Sequence, residues 1–185
     1  PRSTHTRTPR ETDGLSGRTQ EIRRLIGRSL RAAVDLELIG ERLLTVDCDV
    51  LQADGGTRTA SISGGYVAVA LALGRLAARD LVPPEALKPP VAAVSVGVVG
   101  EDVRLDLCYE EDRDADVDLN VATTAGGRLI DVQGTAEGEP FSRQTLDRLL
   151  GLAELGIEQI VREQEEALQS HEHAQATGQG YPERH

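Results

Sequence analysis

The stretch Asp54-Gly55-Gly56-Thr57-Arg58-Thr59-Ala60-Ser61 has the residue types of an anion site. Two glycines permit backbone angles that turn successive N–H groups inward and let a ligand approach the main chain. A helix starting just after them would aim its free N-terminal amides at the same point, and Arg58 adds a full charge. An ordinary strand-to-helix turn with a surface arginine would look the same at this level. Ser16-Gly17-Arg18 repeats the logic, more weakly, at another candidate helix start. The acidic run Tyr109-Glu110-Glu111-Asp112-Arg113-Asp114-Ala115-Asp116-Val117-Asp118 could gather a pair of carboxylates. If a hairpin joins two strands here, Asp112 near its start and Asp118 on the returning strand approach one another across the pair. Facing carboxylates repel unless a cation or proton relieves them, and Mg²⁺, which takes oxygen ligands and keeps several waters, suits such a pair. Acidic hairpins are also commonly just solvated, which is the reading given to Asp106, Asp114 and Asp116. Arg2, Arg7 and Arg10 are spaced along a polar segment as contacts to an RNA backbone would be, or as a basic terminus without a partner.

The elements that must position these groups can be read from periodicity. Residues 1–14 are polar and basic and read as an arm. Residues 18–38 carry apolar positions at helical spacing, with Gly40 as the stop. Residues 44–51 alternate, with Val46, Cys48 and Val50 on one face, and predict a half-buried strand. The segment 59–78 is rich in Ala, Val and Leu and predicts a buried helix. After a proline-marked loop, segments 91–99, 103–109, 117–121 and 129–133 predict an antiparallel meander. Ser142 is a candidate N-cap for a helix to about residue 168, with Phe141 and Leu146 as a hydrophobic staple. The polar remainder, with His171 and His173, reads as a disordered tail rather than a metal site. The resulting division is a basic arm at 1–14, a core domain at 15–169 and a tail at 170–185.

The net charge of −11 argues against a general nucleic-acid binder, but the average hides a split. Residues 1–31 hold eight Arg against three acids, whereas residues 101–120 hold nine acids against Arg104 and Arg113. One molecule can therefore attract phosphates at one site and cations at another. Lys88 is the only lysine, so nearly every base is an Arg, whose fork suits bidentate phosphate contacts. Cys48 and Cys108 have neither metal nor disulfide spacing. No apolar run approaches membrane-spanning length and no signal-peptide pattern opens the chain, so a cytoplasmic protein without a membrane role is the expectation.

Several motifs occur together and in an order that resembles the ribonuclease PH family. They are Ser16-Gly17-Arg18-Thr19, Leu25-Ile26-Gly27-Arg28, Asp47-Cys48-Asp49-Val50, the run from Gln52 to Ile62, Tyr109-Glu110-Glu111-Asp112, Val117-Asp118-Leu119-Asn120, Gln133-Gly134-Thr135 and Phe141-Ser142-Arg143. The resemblance spans about residues 1–168. It implies an α/β (α+β) fold of the ribonuclease PH and ribosomal protein S5 domain 2 type, with helices packed on mixed sheets. It implies phosphate-dependent 3′-to-5′ trimming of tRNA precursors and other RNA 3′ ends, with release of nucleoside diphosphates, by a homo-oligomeric ring, a hexamer built as a trimer of dimers. Arg18, Gly56, Thr57 and Arg58 would hold inorganic phosphate as co-substrate. Asp112 and Asp118 would support catalysis and hold Mg²⁺ or Mn²⁺, and Arg2, Arg7 and Arg10 would contact RNA. The resemblance also implies an N-terminal portion ahead of the position of Pro1, with strands of the same domain. The sequence holds no Met, so the expectation is a processed, trimmed or partial chain whose sheet lacks those strands. A non-catalytic RNA-binding or structural ring subunit and an inactive fragment are the competing readings. A generic phosphate- or nucleotide-binding domain would explain the Gly-Gly-Thr-Arg turn but not the Asp pair.

Overall fold

The computed structural model describes residues 16–176; Arg2, Arg7, Arg10 and the last nine residues lie outside them. Helix α1, Gly17–Ala32, starts at Ser16, whose Oγ accepts from the Thr19 N–H at 3.2 Å. Its buried face is Leu25, Ser29 and Leu30. The helix ends at Ala32 and does not reach residue 38, because the chain is pulled onto a neighbouring loop. Asp35 N–H donates to Ala86 O and Lys88 N–H to Ala33 O, both at 2.8 Å, and Val34 bridges to Leu87. Leu36 and Leu38, the last apolar positions of the predicted helix, are consequently exposed.

Residues 44–51 form no strand. Leu44 and Val46 reach the core; Cys48 and Val50, placed on the same buried face as Val46 from the sequence, are exposed. Alternation supplies a face, but a strand also needs a neighbour to pair with, and none of the described strands offers one. A groove of about 420 Å³ separates this segment from Ala60, Gly64 and Ala68 of the next helix.

That helix, α2, spans Thr57–Ala77. On length and composition alone it could cross a membrane, contrary to the expectation from the sequence that no segment would. Its contacts make it instead the central helix of this fold. Ile62, Tyr66 and Ala70 are buried against α1 and the sheet, and Val69 and Leu73 against Val34, Ile39, Val82 and Ala86 of the loops, while Gly64 and Ala68 face outward. It is buried on one face rather than all round.

The sheet has four strands in the order β2-β1-β3-β4: β1 Val91–Val99, β2 Asp102–Leu105, β3 Val117–Thr124 and β4 Leu129–Ala136. Every pairing is antiparallel, where mixed sheets were expected. It is also not a meander, since β3 pairs with the far edge of β1 rather than with β2. β2 stops at Leu105, and Asp106, at φ +57, turns the chain out of the sheet. The acidic residues that follow form a one-turn helix, α3, Tyr109–Arg113, instead of a hairpin.

Alternation along β1 and β3 then decides what lies on each face. Ala92, Val94, Val96, Val117, Leu119 and Val121 pack on helix α4, Arg143–Ala176, through Leu149, Ala153, Ile157 and Val161. Val91, Ala93 and Ala122 pack on α1 and α2. Burying one such large side chain contributes about 1.5–3 kcal/mol. Ser142 caps α4, its Oγ accepting from the Thr145 N–H at 3.0 Å, and Phe141 and Leu146 both pack on the core. The helix continues through Ala176, so residues 170–176, expected in the tail, are helical. Its second half meets α2, where buried Gln164 donates to Ser63 O at 2.8 Å and to Val91 O at 3.1 Å.

Candidate functional site

The turn before α2 is built as an anion cradle. Gly55 has φ +84 and Gly56 φ +56, angles that side chains disfavour. Gly56 is the N-cap residue and provides no side-chain cap, so the first-turn amides of α2 remain open. Thr59 Oγ1 donates back to Gly56 O at 2.8 Å and fixes the turn. Arg58 sits in that first turn with its side chain about a quarter exposed.

Helix α1 brings a second set of groups to the same place. Arg58 Nη1 donates to Glu21 Oε1 at 2.9 Å. Glu21 lies three residues after Arg18, so the two share one face of α1. Glu21 is the α1 residue that meets Arg58. Arg18 itself is exposed in the first turn of the helix.

The third contribution comes from the sheet. Asp118 lies on β3 between Gly97 of β1 and Thr135 of β4. By alternation it points away from α4, to the face covered by α1 and α2. Asn120, on the same face, donates from Nδ2 to Asp118 Oδ2 at 3.3 Å. Asp118 Oδ1 is buried and has no hydrogen-bond partner. Burial raises the Asp118 carboxyl above its ordinary range, and the charge of Asp112 raises it further, while Arg58 and Asn120 pull it down. Asp118 thus feels both Asp112 and Arg58.

Asp112 is linked to Asp118 through its charge, which raises the Asp118 carboxyl. Asp112 is exposed on α3 and approaches Asp118 from the connection between β2 and β3, not across a strand pair. Helix α3 is held by Arg104, which donates to Glu111 Oε1 at 2.7 Å, and by Glu111 Oε2, which accepts from the Cys108 N–H at 3.2 Å. Of the three acids read as merely solvated, Asp114 makes an exposed double contact with Arg113 and Asp116 is exposed. Asp106 is different: its Oδ1 lies 3.5 Å from where a Cβ on Gly56 would stand.

A divalent cation fits this pair. A buried carboxylate oxygen without a donor is already stripped of water and available to a metal. No group of three or more His, Cys, Asp or Glu able to hold a metal occurs among the described residues. Two carboxylates alone suit Mg²⁺, which completes its shell with water and substrate phosphate. Sequence reasoning misses Glu21 and Asn120. Their signals are the i, i+3 spacing from Arg18 and the i, i+2 spacing from Asp118.

Comparison with known proteins gives the family and the fold. Residues 1–73 match the family model described as 3′ exoribonuclease family, domain 1, and residues 89–155 match domain 2 of the same family. Among solved structures, rice (Oryza sativa) Rrp46 superposes with a TM-score of 0.62 at 17% identity, covering 85% of this chain and 68% of that one. A chain of the Archaeoglobus fulgidus exosome, solved with RNA bound to the active site, gives 0.58 at 19% identity, covering 83% and 64%. At such identities the likeness is one of fold, and this chain spans about two thirds of the length of each. The two family models follow one another in order and together cover most of the sequence, on both sides of the anion turn and the Asp pair; the protein belongs to the 3′ exoribonuclease family.

Proposed function

We infer that this chain is a phosphate-dependent 3′-to-5′ exoribonuclease that trims 3′ ends of RNA, tRNA precursors among them, and releases nucleoside diphosphates. The observation that carries the reading is Asp118: a half-buried carboxylate whose Oδ1 is buried without a partner, and whose carboxyl the charge of Asp112 raises and that of Arg58 lowers. An anion site beside a cation site is what transfer between two phosphates requires.

Inorganic phosphate is assigned to Arg58, Arg18, Gly56 and Thr57, with the open amides of α2 aligned to it. A phosphate oxygen attacks the phosphorus of the last phosphodiester, the P–O3′ bond breaks, and the phosphate proton passes to the departing O3′. The products are a nucleoside diphosphate and an RNA one residue shorter with a free 3′-hydroxyl. Arg58 orients the attacking group and offsets charge; no covalent enzyme intermediate is needed. Asp112 and Asp118 would hold Mg²⁺ or Mn²⁺, which when bound supplies charge neutralisation at the transferred phosphate. The exposed apolar side chains of Leu43, Leu51 and Leu129 support assembly into a homo-oligomeric ring, a hexamer in this reading. Arg2, Arg7 and Arg10 complete the proposal as RNA contacts.

The competing reading, an RNA-binding ring subunit without activity, is favoured by one contact: Glu21 already occupies Arg58. Steady-state kinetics separate the two. Arg58→Ala should raise KM for phosphate by a factor corresponding to about 1.5–3 kcal/mol, the scale of a charge-assisted bond. An unchanged KM would remove Arg58 from the site.

A further inference from the structure

The anion turn and the segment leading into α3 interlock at three points. Tyr109 N–H donates to Asp54 Oδ1 at 3.1 Å, across 55 positions of sequence. A Cβ on Gly55 would stand 2.2 Å from the Leu107 carbonyl oxygen, so the turn lies directly against that carbonyl. Asp106 Oδ1 closes on Gly56. The receiving segment is fixed: Leu107 is 1% exposed, and its N–H donates to the Oγ of buried Ser95 on β1 at 3.2 Å. Helix α3 is not fixed in this way. It has five residues, none of them buried. A helix so short does not hold itself, so its attachments set the direction in which Asp112 points. Of those attachments, the Asp54 bond is the one that comes from the turn carrying Arg58.

We propose that Asp54 is a positioning residue that, through the Tyr109 amide, sets the placement of Asp112 and joins occupancy of the anion turn to occupancy of the carboxylate pair. The inference rests on the reading of Asp112 and Asp118 as a cation site. Asp54 acts by accepting a hydrogen bond, so what matters is the acceptor oxygen rather than the charge.

The test is Mn²⁺ binding followed by electron paramagnetic resonance on the full chain, with Asp54→Ala and Asp54→Asn beside the wild type. Asp54→Asn keeps the acceptor and loses the charge; Asp54→Ala loses both. Loss of a bond that orients a metal ligand weakens metal binding by about tenfold or more, and Asp54→Ala should do so while Asp54→Asn stays close to wild type. Unchanged binding in Asp54→Ala overturns the proposal. Equal weakening in both variants also overturns it, because the charge would then carry the effect. A wild type that binds no Mn²⁺ overturns the reading of the pair itself. Should Asp54→Ala fail to fold, amide hydrogen exchange in the wild type probes the same link. Inorganic phosphate should slow exchange at Tyr109, and an unchanged rate overturns the proposal.

Discussion

Asp118 shows how one side chain can work against the fold and for the site. Its buried Oδ1 lacks a partner, a cost the protein carries whenever no cation is bound. Its carboxyl is raised above the ordinary value of 3.8, chiefly by burial. Between the ordinary and the raised value the folded chain therefore holds a proton that the unfolded chain has released. Stability from this group is present below pH 3.8 and is lost as pH rises through the raised folded value. Asp118→Asn removes the charge, and with it the penalty of burying it and the repulsion from Asp112, although a buried amide atom without a partner remains. In the absence of metal the variant should melt about 2–4 °C higher than wild type near neutral pH, the shift that ~1 kcal/mol gives in a chain of this size. It should also lose the fall in stability on leaving acid, and bind no Mn²⁺. Thermal melts in chelator across pH check the first two points; a lower melting temperature for the variant would contradict them. Arg58, Asp112 and Asp118 can be picked out in the sequence as candidates because motif spacing carries chemistry. The hydrogen bonds that give Glu21 and Asp54 a role cannot, because they join partners 37 and 55 positions apart.

Among the elements, the sequence is most informative where local periodicity and caps agree. Ser142 with its staple marks the start of α4, and the β-branched run marks β1. It is least informative where a long-range bond overrides local preference. Helix α1 stops early because the loop at 86–88 captures residues 33–35, which no pattern near residue 38 announces. Residues 44–51 alternate faithfully yet find no strand to pair with. The acidic run reads as a hairpin because the alternating pattern continues through Tyr109. Asp106 breaks it with a left-handed backbone angle unusual for a non-glycine residue. The turn at Gly55 can be tested as an element. Gly55→Ala must adopt φ +84 against the Leu107 carbonyl, which should cost about 1–3 kcal/mol, read as a lower denaturant midpoint. An unchanged midpoint would mean that the turn relaxes freely.

Taken whole, the molecule separates its charges by layer. An acidic protein, at −11, sets Arg58 at the start of α2 against Glu21 of α1, with Asp118 on β3 and Asp112 on α3. Neither layer alone carries all the candidate residues; the contact of α1 and α2 with one face of the sheet joins them. The most direct measurement uses ³²P-labelled inorganic phosphate, a 3′-extended tRNA, Mg²⁺ and the full chain. If phosphate is the attacking group, label appears in the β-phosphate of released nucleoside diphosphates, and Asp118→Asn abolishes it. Release of unlabelled nucleoside monophosphates would mean that water attacks instead. Binding of the RNA with no release at all would make the chain a binding subunit.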